Sequence, residues 1–152
     1  MQKNKVKIYF AGAISAGRER QPLYRAMVDY LQSIDGEVLS AHVAAANVLS
    51  TESALTDELI FRRNLEFINA CDGMVAEVTT PSLGVGFEIA VALQRQKPTI
   101  GLCQKGTFLT RMLTGNRDRK LAIVFYEQPR EWQAALEDFL KKLHKEVSSR
   151  RS

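Results

Sequence analysis

The stretch "VAEVTTPSLGVGFEIAVALQ", Val75 to Gln94, concentrates the residue types that do chemistry. An apolar run gives way to a Thr/Pro/Ser/Gly turn and then to an apolar-periodic segment with one acid, Glu88, which the pattern puts in the first turn of a helix. The Gly84-Val85-Gly86 turn lets the backbone come close to a ligand, and the exposed N–H groups of a helix start attract an anion. Phosphate suits such a cradle, with Ser82 offering a hydroxyl beside it. Taken alone, a Gly-x-Gly turn is more often an ordinary tight turn, and Glu88 alone also reads as an acid that complements the helix dipole. That dipole favours the ionised carboxylate, and an ionised carboxylate at the floor of an anion-binding crevice suits a nucleophile better than a general acid.

The elements that must position these residues alternate. Strands are predicted over 5–12, 36–43, 71–78, 97–103 and 121–126. Helices are predicted over 22–34, 57–70, 86–96 and 130–147, with a short one over 106–116 closed by Gly115. Pro98 disfavours helical geometry at Lys97 and marks the end of the third major helix. Strands alternating with helices predict an α/β fold, a three-layer sandwich with a mainly parallel five-stranded sheet of Rossmann-like or flavodoxin-like type. In such sheets ligands bind outside the carboxyl ends of the strands, where Glu88 is expected. One domain over 1–147 is expected, followed by a disordered tail over 148–152.

Composition sets limits on function. The 152 residues are 45% hydrophobic and 25% charged, as in soluble globular proteins. No apolar run approaches the ~20 residues of a membrane span, and the start, "MQKNKVKIYFAG", lacks the apolar core and cleavage site of a signal peptide. A cytoplasmic location is expected, with no membrane partner. The net charge of +4 fits an anionic ligand, but much of the basic excess falls in the C-terminal helical segment without interleaved aromatics, so no nucleic-acid polymer is expected. Cys71 and Cys103 are too few and too far apart for a metal motif and read as free, half-buried thiols.

Three stretches, "IYFAGAISAGRE", "HVAAA" and above all "VAEVTTPSLGVGFEIAVAL", closely resemble the 2'-deoxynucleoside 5'-phosphate N-hydrolases, within the nucleoside 2-deoxyribosyltransferase superfamily. The likeness runs from about Val6 to Tyr126. It implies that Glu88 attacks C1' of the sugar and forms a glycosyl ester, that Tyr9 lies near the sugar and the nucleophile, and that His42 belongs to the pocket wall. Ser82, Gly84 and Gly86 match the phosphate cradle. Thr110 falls where the family places a serine hydroxyl on the phosphate across a homodimer interface, with Met112 beside it. Gly12, Ala13, Ile14, Ser15 and Arg18 correspond to the loop after the first strand, where the resemblance implies substrate binding. No metal or organic cofactor is implied.

This chain departs from the family in two places. "AGAISAG" stands where the family has "GSIRGG", so the expected phosphate arginine is missing at Ser15; Arg18 either compensates or is a surface residue. Asn64, in "RRNLEF", occupies the position of the family's second catalytic acid, an Asp. An amide donates a hydrogen bond but delivers no proton, and Glu66, two residues on, faces another side of the helix. A carboxyl at position 64 would be kept protonated by its neighbour Glu88. The resemblance therefore implies hydrolysis of the N-glycosidic bond of a deoxynucleoside 5'-monophosphate. Two alternatives stay open: a deoxyribosyltransferase using the same ester, and a nucleotide-binding dimer with little turnover.

Overall fold

The computed structural model describes residues 4–14 and 19–152. Ser15 and Arg18, two of the expected loop residues, lie outside the described residues. In chain order the elements are β1 (Val6–Ala11), α1 (Gln21–Ser33), β2 (Gly36–Val38), α2 (Val48–Ser53), α3 (Asp57–Ala70), β3 (Gly73–Glu77), α4 (Leu83–Gln94), β4 (Thr99–Gln104), α5 (Arg111–Thr114), β5 (Leu121–Tyr126) and α6 (Pro129–Arg151). The five strands form one sheet in the order β2-β1-β3-β4-β5, and every pairing is parallel. The order reverses between β1 and β3, so the crevice of this architecture opens where those strands end.

The two-residue period of β1 sorts its side chains between the faces of the sheet. Ile8 and Phe10 pack with Tyr24, Met27 and Leu31 of α1 and with Trp132, Leu136 and Leu140 of α6. Tyr9 and Ala11 point to the other face, into a second core with Ile68 of α3 and Val85 and Ile89 of α4. Tyr9 is thus carried to the layer that holds Asn64 and Glu88. Strand β3, central in the sheet, is buried at every residue, as a strand covered by helices on both faces must be.

Four boundaries differ from the sequence expectation; the short helix expected over 106–116 is only the four-residue α5, Arg111–Thr114, because Thr110 caps it and starts it late. Strand β2 ends at Val38 and not at 43, because Ser40 takes over the edge of β1 with its side chain. Its Oγ accepts from the Phe10 N–H at 2.8 Å and donates to the Phe10 carbonyl at 2.7 Å. The chain is then free to turn into a 3-10 helix over Ala41–Ala44 that carries His42. Helix α4 begins at Leu83, earlier than expected, capped by Ser82. Helix α6 continues to Arg151, through the residues expected as a disordered tail; a Gln128–Glu131 capping box starts it and Arg150 and Arg151 complement its C-terminal dipole.

Candidate active site

Glu88 sits in the second turn of α4, since the helix begins at Leu83. The first-turn position expected from the pattern is not where it lies, and the helix dipole, which fades beyond the first turn, is not what holds its charge. Side chains from two other elements do so. Tyr9 of β1, buried, donates its hydroxyl to Glu88 Oε2 at 2.8 Å. The Asn64 side chain of α3 lies beside the same carboxylate and favours its ionised form. Burial pushes the Glu88 carboxyl above the usual carboxylate range, while Tyr9, Asn64 and the Arg63 guanidinium pull it back and Glu52 adds a smaller push upward. Burial and the Glu88 charge raise the Tyr9 phenol, which stays protonated and donates.

A network behind Asn64 orients this group. Asn64 Oδ1 accepts from Arg63 Nε at 3.1 Å and Nη2 at 3.0 Å, and the same Nη2 donates to Glu52 Oε1 at 2.7 Å. His42 Nε2 lies 3.3 Å from that Glu52 oxygen but is misaligned and makes no hydrogen bond. Burial, with help from the Arg63 charge, lowers the His42 pKa, so its imidazole is neutral near pH 7. Its ring packs 6.2 Å from that of Phe67. The expected trio of Tyr9, Asn64 and Glu88 is therefore brought together, and His42 lies, without bonding to it, beside the Glu52 carboxylate that Arg63 ties to Asn64.

Arg63 and Glu52 were not anticipated. Adjacent helical residues project about 100° apart, so Arg63 gave no sign of serving the side of Asn64. Glu52 lies in a Ser/Thr/Ala-rich stretch without periodicity that folds as the six-residue α2. Only charge complementarity linked the two, and tertiary contact decides that.

The face of α4 turned from Glu88 borders a groove of about 660 Å³ lined by Ser82, Gly86, Phe108, Thr110 and Met112 among others. Ser82 caps α4, its Oγ accepting from the Val85 N–H at 3.3 Å. A Cβ on Gly86 would meet nothing within 4 Å, and one on Gly84 would meet only Ser82 Oγ at 3.9 Å. Packing does not require glycine at either position, and their bareness leaves the helix start open to a ligand. Thr110 caps the four-residue α5, with its Oγ1 accepting from the Met112 N–H at 3.3 Å. The groove's lining includes no Lys or Arg among the described residues, so an anion there would rest on backbone N–H groups and hydroxyls.

The loop after β1 is packed differently. A Cβ on Gly12 would come within 2.8 Å of the Tyr24 ring, so this glycine answers to Tyr24. The Ala13 N–H donates to the Tyr24 hydroxyl at 3.2 Å and its side chain is fully buried, whereas Ile14 is half-buried against the α1 core. The N–H of Ala13 is thus engaged with the protein.

A fully buried carboxyl, Glu77, ends β3. Its Oε1 accepts from the Thr79 N–H at 3.3 Å, from the Thr79 hydroxyl, and from the Tyr126 hydroxyl at 3.2 Å, while Oε2 has no partner among the described residues. Thr79 Oγ1 in turn accepts from the Gln104 N–H at 2.9 Å. These bonds tie together the ends of β3, β4 and β5 under the loop that leads to Ser82. Burial raises the Glu77 pKa. Among the described residues no group of three or more His, Cys, Asp or Glu side chains is placed to hold a metal ion, and no helix is long and apolar enough to cross a membrane. Cys71 and Cys103 are free, and both are fully buried.

Known proteins share this arrangement of sequence and fold. A protein of Methanosarcina mazei, named as a candidate 2'-deoxynucleoside 5'-phosphate N-hydrolase, is 35% identical over 141 residues, covering 93% of this chain and 88% of its own. The 5-hydroxymethyl-dUMP N-hydrolase of Homo sapiens is 38% identical over 138 residues, covering 88% of this chain and 79% of its own. The structure of a Clostridium botulinum CMP N-glycosidase superposes with a TM-score of 0.63 at 17% identity, over 86% of this chain and 98% of that one, a likeness of fold. Residues 8–144 match the nucleoside 2-deoxyribosyltransferase family, and the chain belongs to it.

Proposed function

We propose that this protein hydrolyses the N-glycosidic bond of deoxynucleoside 5'-monophosphates, releasing the free base and 2-deoxyribose 5-phosphate. The observation that carries the reading is the half-buried carboxylate of Glu88, which accepts from the Tyr9 hydroxyl at 2.8 Å with the Asn64 amide beside it. One Glu88 oxygen attacks C1' as the C1'–N bond breaks, and the bonding electrons leave with the base nitrogen. The transition state has oxocarbenium character, and the product is a glycosyl ester on Glu88. Water then attacks C1', the ester C–O bond returns its electrons to the carboxylate, and the water proton leaves to the departed base or to solvent. Attack from opposite faces in the two steps retains configuration. Tyr9 abuts the sugar and orders the nucleophile, and His42 forms part of the pocket wall.

The 5'-phosphate is assigned to the open start of α4, with Ser82 and Gly84, and to the Thr110 hydroxyl of a second subunit; Gly86, on the groove face turned from Glu88, lies away from that position. A homodimer is supported by the exposed apolar residues around the groove: Leu83 is 96% exposed, Met112 81% and Phe108 78%. Apolar side chains so displayed beside a groove mark a surface that another protein covers. The names of the relatives, which are nucleotide N-hydrolases, support the substrate class.

Incubation with the four standard deoxynucleoside 5'-monophosphates, with and without a second free base, tests the proposal. Hydrolysis gives free base and sugar phosphate in both conditions. Appearance of a new nucleotide with the added base indicates a transferase instead. Asn64, which delivers no proton, favours one further reading: binding without release of base indicates a nucleotide-binding dimer with little turnover.

A further inference from the structure

The position next to the nucleophile is held by a neutral amide, and the residue that orders it is Arg63. An amide has one acceptor oxygen and an NH2 with two donors. With Asn64 Oδ1 taken by Arg63 Nε and Nη2 at 3.1 and 3.0 Å, the edge that faces Glu88 is the NH2. Arg63 cannot swing away freely, because Nη2 is also tied to Glu52 Oε1 at 2.7 Å. The guanidinium is always charged, and its side chain is only 25% exposed, so solvent screens it weakly.

We infer that Arg63 is a positioning residue for the nucleophile: by holding Asn64 Oδ1 through Nε and Nη2 it fixes the amide with its NH2 edge toward Glu88 and sets its guanidinium charge behind that amide. The inference rests on the reading of Glu88 as nucleophile. The groups whose charge or hydrogen bonding acts on Glu88 come from three elements: Tyr9 from β1, Glu52 from α2, and Arg63 with Asn64 from α3. Tyr9 stays protonated and donates, Glu52 opposes ionisation, and Arg63 supplies the positive charge among them. His42, near Glu52, is neutral and adds no charge at neutral pH. The second catalytic position thus acts in this chain by fixed hydrogen-bond donation backed by a cation, without proton transfer.

The test is a titration of Glu88 in the full chain labelled with carboxyl-13C glutamate, its NMR signal assigned by its loss in Glu88→Gln. Arg63→Met and Arg63→Gln, both neutral, are expected to raise the Glu88 titration by about one pH unit or more, in the range an adjacent opposite charge supplies. The sign follows from charge: without the cation the carboxylate is harder to ionise, so the acid limb of the kcat profile on the four deoxynucleoside 5'-monophosphates moves to higher pH by the same amount. Arg63→Lys keeps the charge without the planar fork. It is expected to restore most of the titration while the plateau kcat stays below that of the parent. A Glu88 titration unmoved in both neutral variants overturns the role of Arg63, whatever the activity. A moved titration in a chain that releases no base upholds the role of Arg63 at this carboxylate and overturns the hydrolase reading.

Discussion

At the scale of single residues, Glu88 poses an electrostatic problem that its neighbours solve in part. A nucleophile must be ionised, yet burial resists ionisation, and the balance leaves its pKa raised. Base release is therefore expected to fall on the acid side at a pH above the ordinary carboxylate value of about 4.3. Tyr9→Phe removes a donor that favours the anion; a kcat lower by roughly 10- to 100-fold and an acid limb moved to higher pH are expected from a pH series on one substrate. A Tyr9→Phe profile that keeps the parent's acid limb would remove the hydroxyl from this role. Asn64→Asp restores a carboxyl at the second position. The sequence suggested that Glu88 alone would keep such an acid protonated, but the Arg63 nitrogens at 3.0 and 3.1 Å favour its ionised form. The gain in purine release, about 10-fold or more as general acids supply, is thus expected on the acid side and is lost as pH rises through the introduced acid's pKa. An Asn64→Asp variant no faster than the parent at any pH would show that the leaving group receives its help elsewhere. Tyr9, Asn64 and Glu88 were legible because each matched a motif at a fixed position. Arg63 and Glu52 were not, because their roles arise from helices packed against each other and from no local pattern.

Among the elements, the strands and major helices follow from periodicity, and the misplacements have local causes. Gly84 and Gly86 read as a turn, although both lie within α4, where bare glycines leave the helix start uncovered. The stretch after Val38 looked like more strand, but a side chain of Ser40 substitutes for the ladder and releases the chain into the turn that carries His42. The ends of β3, β4 and β5 are joined by Glu77, whose cost is its burial. With its folded pKa raised, this group binds its proton more tightly in the folded state than in the unfolded chain. Its favourable contribution is complete below the ordinary carboxylate pKa and is lost as pH rises through the raised value. Glu77→Gln keeps the acceptor and removes the charge. Thermal melts across pH are expected to show a flatter decline above the carboxylate range than in the parent. At pH 8 a Tm higher by about 2–4 °C is expected for each kcal/mol recovered. A steeper decline in Glu77→Gln would mean that the ionised carboxylate stabilises the strand ends.

On the scale of the whole molecule, the parallel sheet supplies the crevice and the surface beside it supplies the proposed partner. Nothing in periodicity distinguishes an apolar residue that is buried in one subunit from one displayed for another, so Leu83, Phe108 and Met112 were visible only as apolar positions. Introducing charge on that surface by Phe108→Glu with Met112→Glu is expected to turn a dimer into a monomer in sedimentation velocity. It should also weaken deoxynucleoside 5'-monophosphate binding by about 10-fold or more, the worth of one lost charge-assisted hydrogen bond from Thr110. Binding of a deoxynucleoside without phosphate should change little. A monomeric variant that binds the nucleotide as tightly as the parent would detach the phosphate site from the dimer.

The central claim, that Glu88 forms the bond to C1', is met most directly by the rate of base release from a deoxynucleoside 5'-monophosphate in Glu88→Gln, with binding of the same nucleotide checked by calorimetry. Loss of a covalent nucleophile is expected to lower the rate by at least about 10³-fold while the nucleotide still binds. A Glu88→Gln protein that binds its nucleotide and releases base at most of the parent's rate would contradict the account.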